Sequence, residues 1–229
     1  MKTAATLKGI LLGSALFGSL GLMAPATQGG VFLNISVDGS VADWNGVSPL
    51  YTGTDDGHAK EIQQIFLAND DTYFYVRVDF FRETNPNELG GFYLGFDNDS
   101  NSATGFNVYG QGVVGTEGAY QNDFPFEQAS GGVFNTGATF SAGAGAGISP
   151  YNVSTLTQEY RILRSVVIDT DNNQLLFPNS SFNFVAYFDD GNSEIAGPIS
   201  YTFASVPEPS AIGLLALGAI SFLARRRRA

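Results

Sequence analysis

Apolar residues occupy every second position of the run Thr72-Tyr73-Phe74-Tyr75-Val76-Arg77-Val78-Asp79-Phe80. Successive side chains of a β-strand point to opposite faces of the sheet, so a period of two divides the run into two sets. One face carries Phe74, Val76, Val78 and Phe80, and the other carries Tyr73, Tyr75, Arg77 and Asp79. The run therefore predicts a strand with one face in an apolar core.

The same alternation recurs along the chain. Residues 181–189 repeat it, and similar segments occur near residues 31–37, 61–68, 91–96, 160–168 and 199–203. Turn-forming residues separate these segments, and helical periodicity does not exceed two turns except at the two ends of the chain. Many short, aromatic-rich strands predict an all-β fold, and we expect an antiparallel β-sandwich of jelly-roll-like type over residues 30–205.

The N-terminal end carries an export signal. Lys2 and Lys8 precede the apolar residues 9–23, and the small residues that signal peptidase requires follow at 24–26. This order predicts a signal peptide over residues 1–26, with an apolar signal helix. The protein is therefore expected to be exported.

The C-terminal segment, residues 206–229, has the order of a sorting tail. The triplet Pro207-Glu208-Pro209 precedes an apolar run, residues 211–224, and a basic cluster of Arg225, Arg226, Arg227 and Arg228. Each proline fixes its own φ and disfavours helix at the preceding residue, so the triplet predicts an extended, accessible handle. The run is shorter than the roughly 20 residues of a full span. It predicts a marginal membrane helix whose arginines stay on the cytoplasmic side.

The charge of the working domain differs from that of the whole chain, which is −11. Six of the 11 basic residues lie in the two terminal segments, but only one of the 22 acidic residues does, so the part between them carries −16. Such a domain repels nucleic acid and attracts divalent cations. Cysteine is absent, so disulfides do not stabilise the exported protein.

A candidate cation site lies in the turn after residues 91–96. Asp97, Asp99 and Asn101 place oxygen-bearing side chains at alternate positions, which suits Ca²⁺ because this ion takes six to eight oxygen ligands. An EF-hand is excluded, since Ser102 and Val108 stand where that loop needs Gly and Glu. The alternative is a solvated turn in which the same side chains accept backbone N–H groups.

Other acidic residues are weaker candidates for this chemistry. Asp55, Asp56 and Glu117 are carboxylates that could complete a site, although the sequence does not place them beside Asp97. Asp169, Asp171 and Asn173 repeat the spacing of the candidate loop between two apolar strands, where a plain hairpin turn is the expected structure.

Four tyrosines are candidates for contact with a sugar ring. Tyr73, Tyr75, Tyr93 and Tyr187 fall on the faces of their strands opposite the predicted core. A pyranose offers an apolar face and a rim of hydroxyls, so an exposed aromatic platform would suit it. The alternative is that the second face of the sheet is simply amphipathic. Trp44, the single tryptophan, is expected to be a structural plug.

Two families resemble this chain. The tail resembles the PEP-CTERM signal, which implies recognition by the membrane enzyme exosortase in bacteria with exopolysaccharide envelopes. Residues 35–50, 61–76, 93–106 and 160–165 resemble, in that order, family 9 carbohydrate-binding modules and the related DOMON-like β-sandwiches. The resemblance implies calcium at Asp97, Asp99, Asn101 and Thr104, because Thr104-Gly105 matches the family's loop. The Gly/Ala-rich residues 131–147 depart from that pattern.

These patterns together predict a non-catalytic, calcium-stabilised protein that binds or embeds in extracellular polysaccharide. Signal peptidase and exosortase are its expected processing partners, and the inner membrane is its transient anchor. We expect the mature protein at the outer surface of the cell envelope or in the extracellular matrix. The alternatives are a structural biofilm or surface protein without a specific ligand, and a polysaccharide-acting hydrolase that uses two of the 21 remaining acids. His58 is the only histidine, so an imidazole-based triad has a single candidate base.

Overall fold

The computed structural model describes residues 28–88, 91–108, 114–129, 133–134, 146–169, 173–188 and 194–206. The predicted signal peptide and its helix, the triplet Pro207-Glu208-Pro209, the C-terminal helix and Arg225 to Arg228 lie outside these ranges. Within them, no helix has the length and apolar character needed to cross a membrane. The only helix described is one 3-10 turn, Val41–Trp44.

The described chain is built almost entirely from antiparallel strands, which confirms the all-β prediction. The strands are β1 Gln28–Gly29, β2 Tyr51–Thr52, β3 Ile62–Asn69, β4 Tyr73–Thr84, β5 Phe92–Asp97, β6 Phe106–Asn107, β7 Gly115–Thr116, β8 Gly118–Gln121, β9 Phe124–Ala129, β10 Val133–Phe134, β11 Gly147–Ser149, β12 Thr155–Leu163, β13 Val167–Asp169, β14 Gln174–Leu175, β15 Ser181–Phe188 and β16 Ile195–Thr202.

Two large sheets form the body of the fold. One has seven strands in the order β1-β16-β15-β5-β8-β9-β10, and the other has five in the order β11-β12-β4-β3-β2. The pairs within them are antiparallel except β1 with β16. Strands β13 and β14 form a separate hairpin, so the turn predicted around Asn173 is confirmed, while Asp171 lies outside the described residues.

The two sheets pack face to face through one apolar core, as a β-sandwich requires. Phe74, Val76, Val78 and Phe80 of β4 are all buried in it, as their alternation predicts. The ring of Phe74 lies 5.3 Å from that of Phe182 and 6.1 Å from that of Phe96, both in the other sheet. Edge-to-face geometry of this kind is favoured by the charge distribution of aromatic rings.

The prediction of a strand near residues 31–37 is wrong. This segment makes only an isolated bridge, Phe32 with Asn69, and two backbone hydrogen bonds to the same asparagine. Strand β3 is already paired by β2 on one side and β4 on the other, so its tip at Asn69 is the part still available for pairing.

Both large sheets have covered outer faces. Ile35 and Trp44 pack against Phe66, Ala68 and Tyr75 on the outside of the five-stranded sheet. On the outside of the seven-stranded sheet, an apolar cluster contains Val108, Val114, Val185 and Tyr187. The sandwich is therefore thicker than two layers, and an alternating strand can be buried on both sides.

The two sheets meet at an end that we call the exit end, because the described chain leaves the sandwich there after β16. The side chain of Asn69 bridges the sheets: its Nδ2 donates to the Ala204 carbonyl at 2.9 Å, and its Oδ1 accepts from the Tyr201 hydroxyl at 2.9 Å. Strand β5 also ends here, since Asp97 is in register with Asn183 near the start of β15. The candidate site lies at this end.

Candidate functional site

Three carboxylates converge at the exit end. Asp97 is the last residue of β5, Asp99 lies in the turn that follows, and Glu117 immediately precedes β8. The antiparallel pairing of β5 with β8 sets Phe96 opposite Gly118, which brings the flanking acids together. One carboxylate oxygen from each residue lies within 4.8 Å of those of the other two. Asp97 is buried, Glu117 is half-buried and Asp99 is exposed.

The loop after β5 is closed by hydrogen bonds from its own backbone. The Asn101 amide donates to Asp97 Oδ1 at 3.0 Å and to Asp99 Oδ1 at 2.9 Å. The Thr104 hydroxyl contacts both Asp99 oxygens, at 3.1 and 3.0 Å. Asn101 Oδ1 accepts from the Ala103 amide at 3.2 Å. Asp97, Asp99 and Thr104 therefore lie close together, but Asp97, Asp99 and Asn101 all accept backbone amides, as in the solvated turn of the alternative, so the calcium site stays a prediction.

Glu117 belongs to this site. From the sequence it is only one of several carboxylates that could complete a site, with no indication that it lies beside Asp97. Its Oε2 accepts from the Asn98 amide at 2.9 Å, and its buried Oε1 has no hydrogen-bond partner. Burial, followed by the charges of Asp99 and Asp97, raises the pKa of Glu117 to about 7. Burial also raises the pKa of Asp97. Among the described residues, no basic side chain pairs with any of the three carboxylates.

Gly105 makes room for the unpartnered oxygen. Its φ is +60°, and a Cβ atom at this position would lie 2.6 Å from Glu117 Oε1. Glycine adopts this left-handed conformation without steric cost. The loop is thus closed tightly over the carboxylates, and an oxygen-only donor set of this kind fits a hard divalent cation such as Ca²⁺.

Asp55 and Asp56 lie elsewhere and do not complete the cluster. The guanidinium of Arg82 pairs with Asp55 at 2.5 Å and also contacts Glu61. The Asp56 amide donates to Glu61 Oε1 at 2.9 Å. These acids form their own ion-pair group at the start of β3.

A cavity of about 520 Å³ lies beside the carboxylate loop. The Asn179 side-chain amide, on its wall, donates to the Asn98 carbonyl at 3.0 Å and so joins cavity and loop. Its apolar lining is Leu163, Leu175, Phe177 and Phe203, and its polar lining is Asp71, Thr72, Arg164, Ser165, Asn179 and Ser180. This volume falls within the roughly 300–1,000 Å³ of small-ligand sites.

Arg164 is held in place on the wall of this cavity. Its guanidinium lies 4.0 Å from the centroid of the Phe203 ring, and its Nη1 donates to the Asp70 carbonyl at 2.7 Å. The Asp70 carboxylate accepts hydrogen bonds from the amides of Thr72 and Tyr73 and from the Tyr75 hydroxyl, and none from Arg164. Nε and Nη2 of Arg164 therefore retain free donors among the described contacts.

The four candidate tyrosines do not form one platform, because they lie in pairs on different sheets. Tyr73 and Tyr75 lie on β4, with ring centroids 6.1 Å apart, and Tyr75 is buried under the segment that contains Trp44. Tyr93 and Tyr187 stack at 5.1 Å on the other sheet, where Tyr187 is buried. Trp44 is buried as well, as expected of a plug.

Sequence reasoning missed the cavity residues. Phe177 lies between β14 and β15, outside every alternating segment, and Phe203 is assigned only to the end of a predicted strand. Arg164 is one of the few basic residues of a strongly acidic domain, but the sequence does not distinguish it from Arg77 or Arg161, which also lack an acidic neighbour. The rest depends on which loops the two sheets bring to the same end.

Comparison with known proteins identifies the tail. Residues 205–228 match the family model of the PEP-CTERM protein-sorting motif, which confirms the predicted signal and implies export with processing by exosortase. No curated protein matches the chain.

Solved structures similar to the chain include a family 9 carbohydrate-binding module from Caldicellulosiruptor kristjanssonii, in one structure with glucose and in another with cellotriose. The glucose complex is 13% identical, with a TM-score of 0.41, and the match covers 79% of this chain and 97% of that one. The cellotriose complex is also 13% identical, with a TM-score of 0.39, and covers 80% and 97% respectively.

Proposed function

We propose that this exported protein is a non-catalytic carbohydrate-binding domain stabilised by calcium, which acts at the cell surface or in the extracellular matrix. The observation that carries the proposal is the cavity at the exit end, which is lined by both apolar and polar residues. This cavity replaces the tyrosine platform as the candidate sugar site.

The chemistry of the cavity suits a sugar. Leu163 is partly exposed and Leu175 is exposed, so these two lining residues offer apolar surface to the carbon-bound face of a pyranose ring. Thr72, Asn179 and Ser180 place hydroxyl and amide groups around that surface, where they can exchange hydrogen bonds with ring hydroxyls. Such a combination of apolar contact and a few polar groups is what orients ligands in small-molecule sites.

Calcium would be held by Asp97, Asp99 and Glu117, and it would neutralise their mutual repulsion. The three residues belong to the end of β5, its turn and the start of β8, so the carboxylates tie these elements together. Asn98 lies within the same loop and supports the cavity wall through Asn179. The metal site would thereby stabilise the shape of the sugar site rather than act in any reaction.

Calorimetry of the purified protein with Ca²⁺ and a panel of neutral and acidic oligosaccharides tests the proposal. We expect binding to at least one oligosaccharide, and we expect Ser165→Trp to abolish it, because Ser165 is an exposed residue of the cavity wall. Tyr151→Ala is the matched control, since Tyr151 is an exposed aromatic near the start of β12, at the opposite end. No binding, or loss with Tyr151→Ala alone, would contradict the proposal.

The calcium site has its own test. Thermal unfolding with Ca²⁺, Mg²⁺ or EDTA should show a higher Tm with Ca²⁺, since a ligand that binds only the folded state stabilises it by mass action. Asp97→Asn should remove most of this rise, whereas Asp55→Asn, a substitution of the same type outside the cluster, should preserve it. An equal Tm in all three conditions would refute the calcium site.

A structural surface role without a specific ligand is the second candidate. Tyr151, Val153 and Leu156 are each about half exposed and lie within six residues of one another. An apolar patch of this kind favours association between proteins. This candidate predicts concentration-dependent association that Val153→Ser weakens, with no heat of oligosaccharide binding.

A further inference from the structure

We propose that the cavity at the exit end selects a sugar that carries a carboxylate, namely a uronic acid residue of a polysaccharide. Arg164 is the residue that binds this carboxylate. The inference rests on the proposed function, because it names the ligand class of the same cavity. The observations that carry it are the position, the fixation and the unused donors of the Arg164 guanidinium.

Arg164 is fixed before any ligand arrives. Its backbone amide donates to the Thr72 carbonyl at 2.9 Å, its guanidinium stacks on Phe203, and Nη1 bonds to the Asp70 carbonyl. The backbone bond fixes the position of the residue, and the two guanidinium contacts restrain a side chain that otherwise has many rotamers, so little further ordering is needed on binding. The edge formed by Nε and Nη2 stays available for a ligand.

The guanidinium of Arg164 also makes no direct ion pair among the described residues. Arg77 pairs with Asp79 through Nη2 at 2.7 Å, and Arg82 pairs with Asp55 and contacts Glu61. No carboxylate of the described residues lies within 4.0 Å of the Arg164 side-chain nitrogens. A guanidinium with a free edge, next to apolar surface, binds a planar carboxylate through two parallel hydrogen bonds.

The rest of the rim favours a uronate over a more highly charged anion. Asp71 lies on the same cavity, and its carboxylate can accept a hydrogen bond from a sugar hydroxyl but repels excess negative charge. Thr72, Asn179 and Ser180 add neutral partners for hydroxyls. One carboxylate beside several hydroxyls, on an apolar ring face, is the pattern of a uronic acid.

The experiment compares oligomers of galacturonic acid and of galactose of equal length, by calorimetry with the purified protein. Arg164→Gln should weaken binding of the uronate oligomer by about 10- to 100-fold, the effect of about 1.5–3 kcal/mol for hydrogen bonds to a charged group. Its affinity for the galactose oligomer should change little, and this affinity also shows that the variant is folded.

Two further variants separate charge from geometry. Arg161→Gln is the matched control, because Arg161 lies on the same strand, is exposed and stacks over Tyr73 outside the cavity. It should leave uronate binding unchanged. Arg164→Lys keeps the charge but loses the planar fork, so it should restore only part of the affinity.

The outcomes distinguish the two proposals. Equal affinity of the native protein for both oligomers, or equal loss with Arg164→Gln and Arg161→Gln, overturns the uronate inference while the carbohydrate-binding function stands. Preference for a sulfated oligomer over the uronate also overturns it. Absence of binding by either oligomer, together with the rest of the carbohydrate panel, overturns both.

Discussion

Glu117 is an acid that the folded protein keeps protonated at a higher pH than the unfolded chain does. Its ordinary pKa is 4.5, and burial beside Asp99 and Asp97 raises the pKa to about 7. Between these two values the folded state binds more protons than the unfolded state. Stability therefore falls as the pH rises through this window, which is the reverse of the usual behaviour of a carboxylate in an ion pair.

In the presence of EDTA, we expect the free energy of unfolding to decrease between about pH 4.5 and pH 7 by as much as about 3 kcal/mol from this residue. Glu117→Gln should remove this part of the decrease, because glutamine has no proton to lose. Urea unfolding at half-unit pH steps measures the effect, and the difference between the two proteins cancels the titrating groups that do not interact with Glu117. Identical pH dependence of the two proteins would contradict the assignment.

Trp44 belongs to the segment that covers the outer face of the five-stranded sheet, and it contacts a buried carboxylate there. Its ring lies 6.4 Å from Phe66, and its Nε1 donates at 2.7 Å to Glu159 Oε1. Glu159 is fully buried, and its other oxygen accepts from the Gly39 amide at 2.9 Å. The segment therefore supplies both apolar cover and the donors that a buried carboxylate requires.

We expect Trp44→Phe to cost about 1–3 kcal/mol of stability, since it leaves a buried acceptor without its donor. Trp44→Ala should cost about 3–5 kcal/mol because it also creates a cavity. Urea unfolding followed by far-UV circular dichroism measures both. With Glu159→Gln as background, the cost of Trp44→Phe should shrink, because the acceptor is then neutral. A cost below about 0.5 kcal/mol in the native background would disprove the role of the indole donor.

The elements also show what the sequence could and could not predict. The alternation of β4 assigns Phe74 and Val76 to the core correctly, because the period of two is a property of the strand itself. It also groups Tyr75 with the opposite face, but it cannot tell whether that face meets water or residues 35–44. The same limit applies to Glu117: its place beside Asp97 depends on the pairing of β5 with β8, which local pattern does not encode.

At the scale of the whole molecule, both ends of the described domain lie at the exit end. Gln28 is in register with Tyr201, and the chain leaves the sandwich after β16 towards residue 207. This end of the domain therefore holds the start of β1, the end of β16, the carboxylate loop and the cavity.

The sorting segment can be tested by replacing Pro207, Glu208 and Pro209 with alanine. Proline disfavours helical backbone at the preceding residue, whereas alanine favours helix, so the variant is expected to lose the extended handle that the sequence predicts. We expect the variant to stay in the inner-membrane fraction with its C-terminus intact, while the native chain loses the four arginines and leaves that fraction. Cell fractionation and mass spectrometry of the C-terminus measure this. Val206→Ala, next to the triplet, should be processed normally, so equal processing of all three proteins would show that the triplet does not direct sorting.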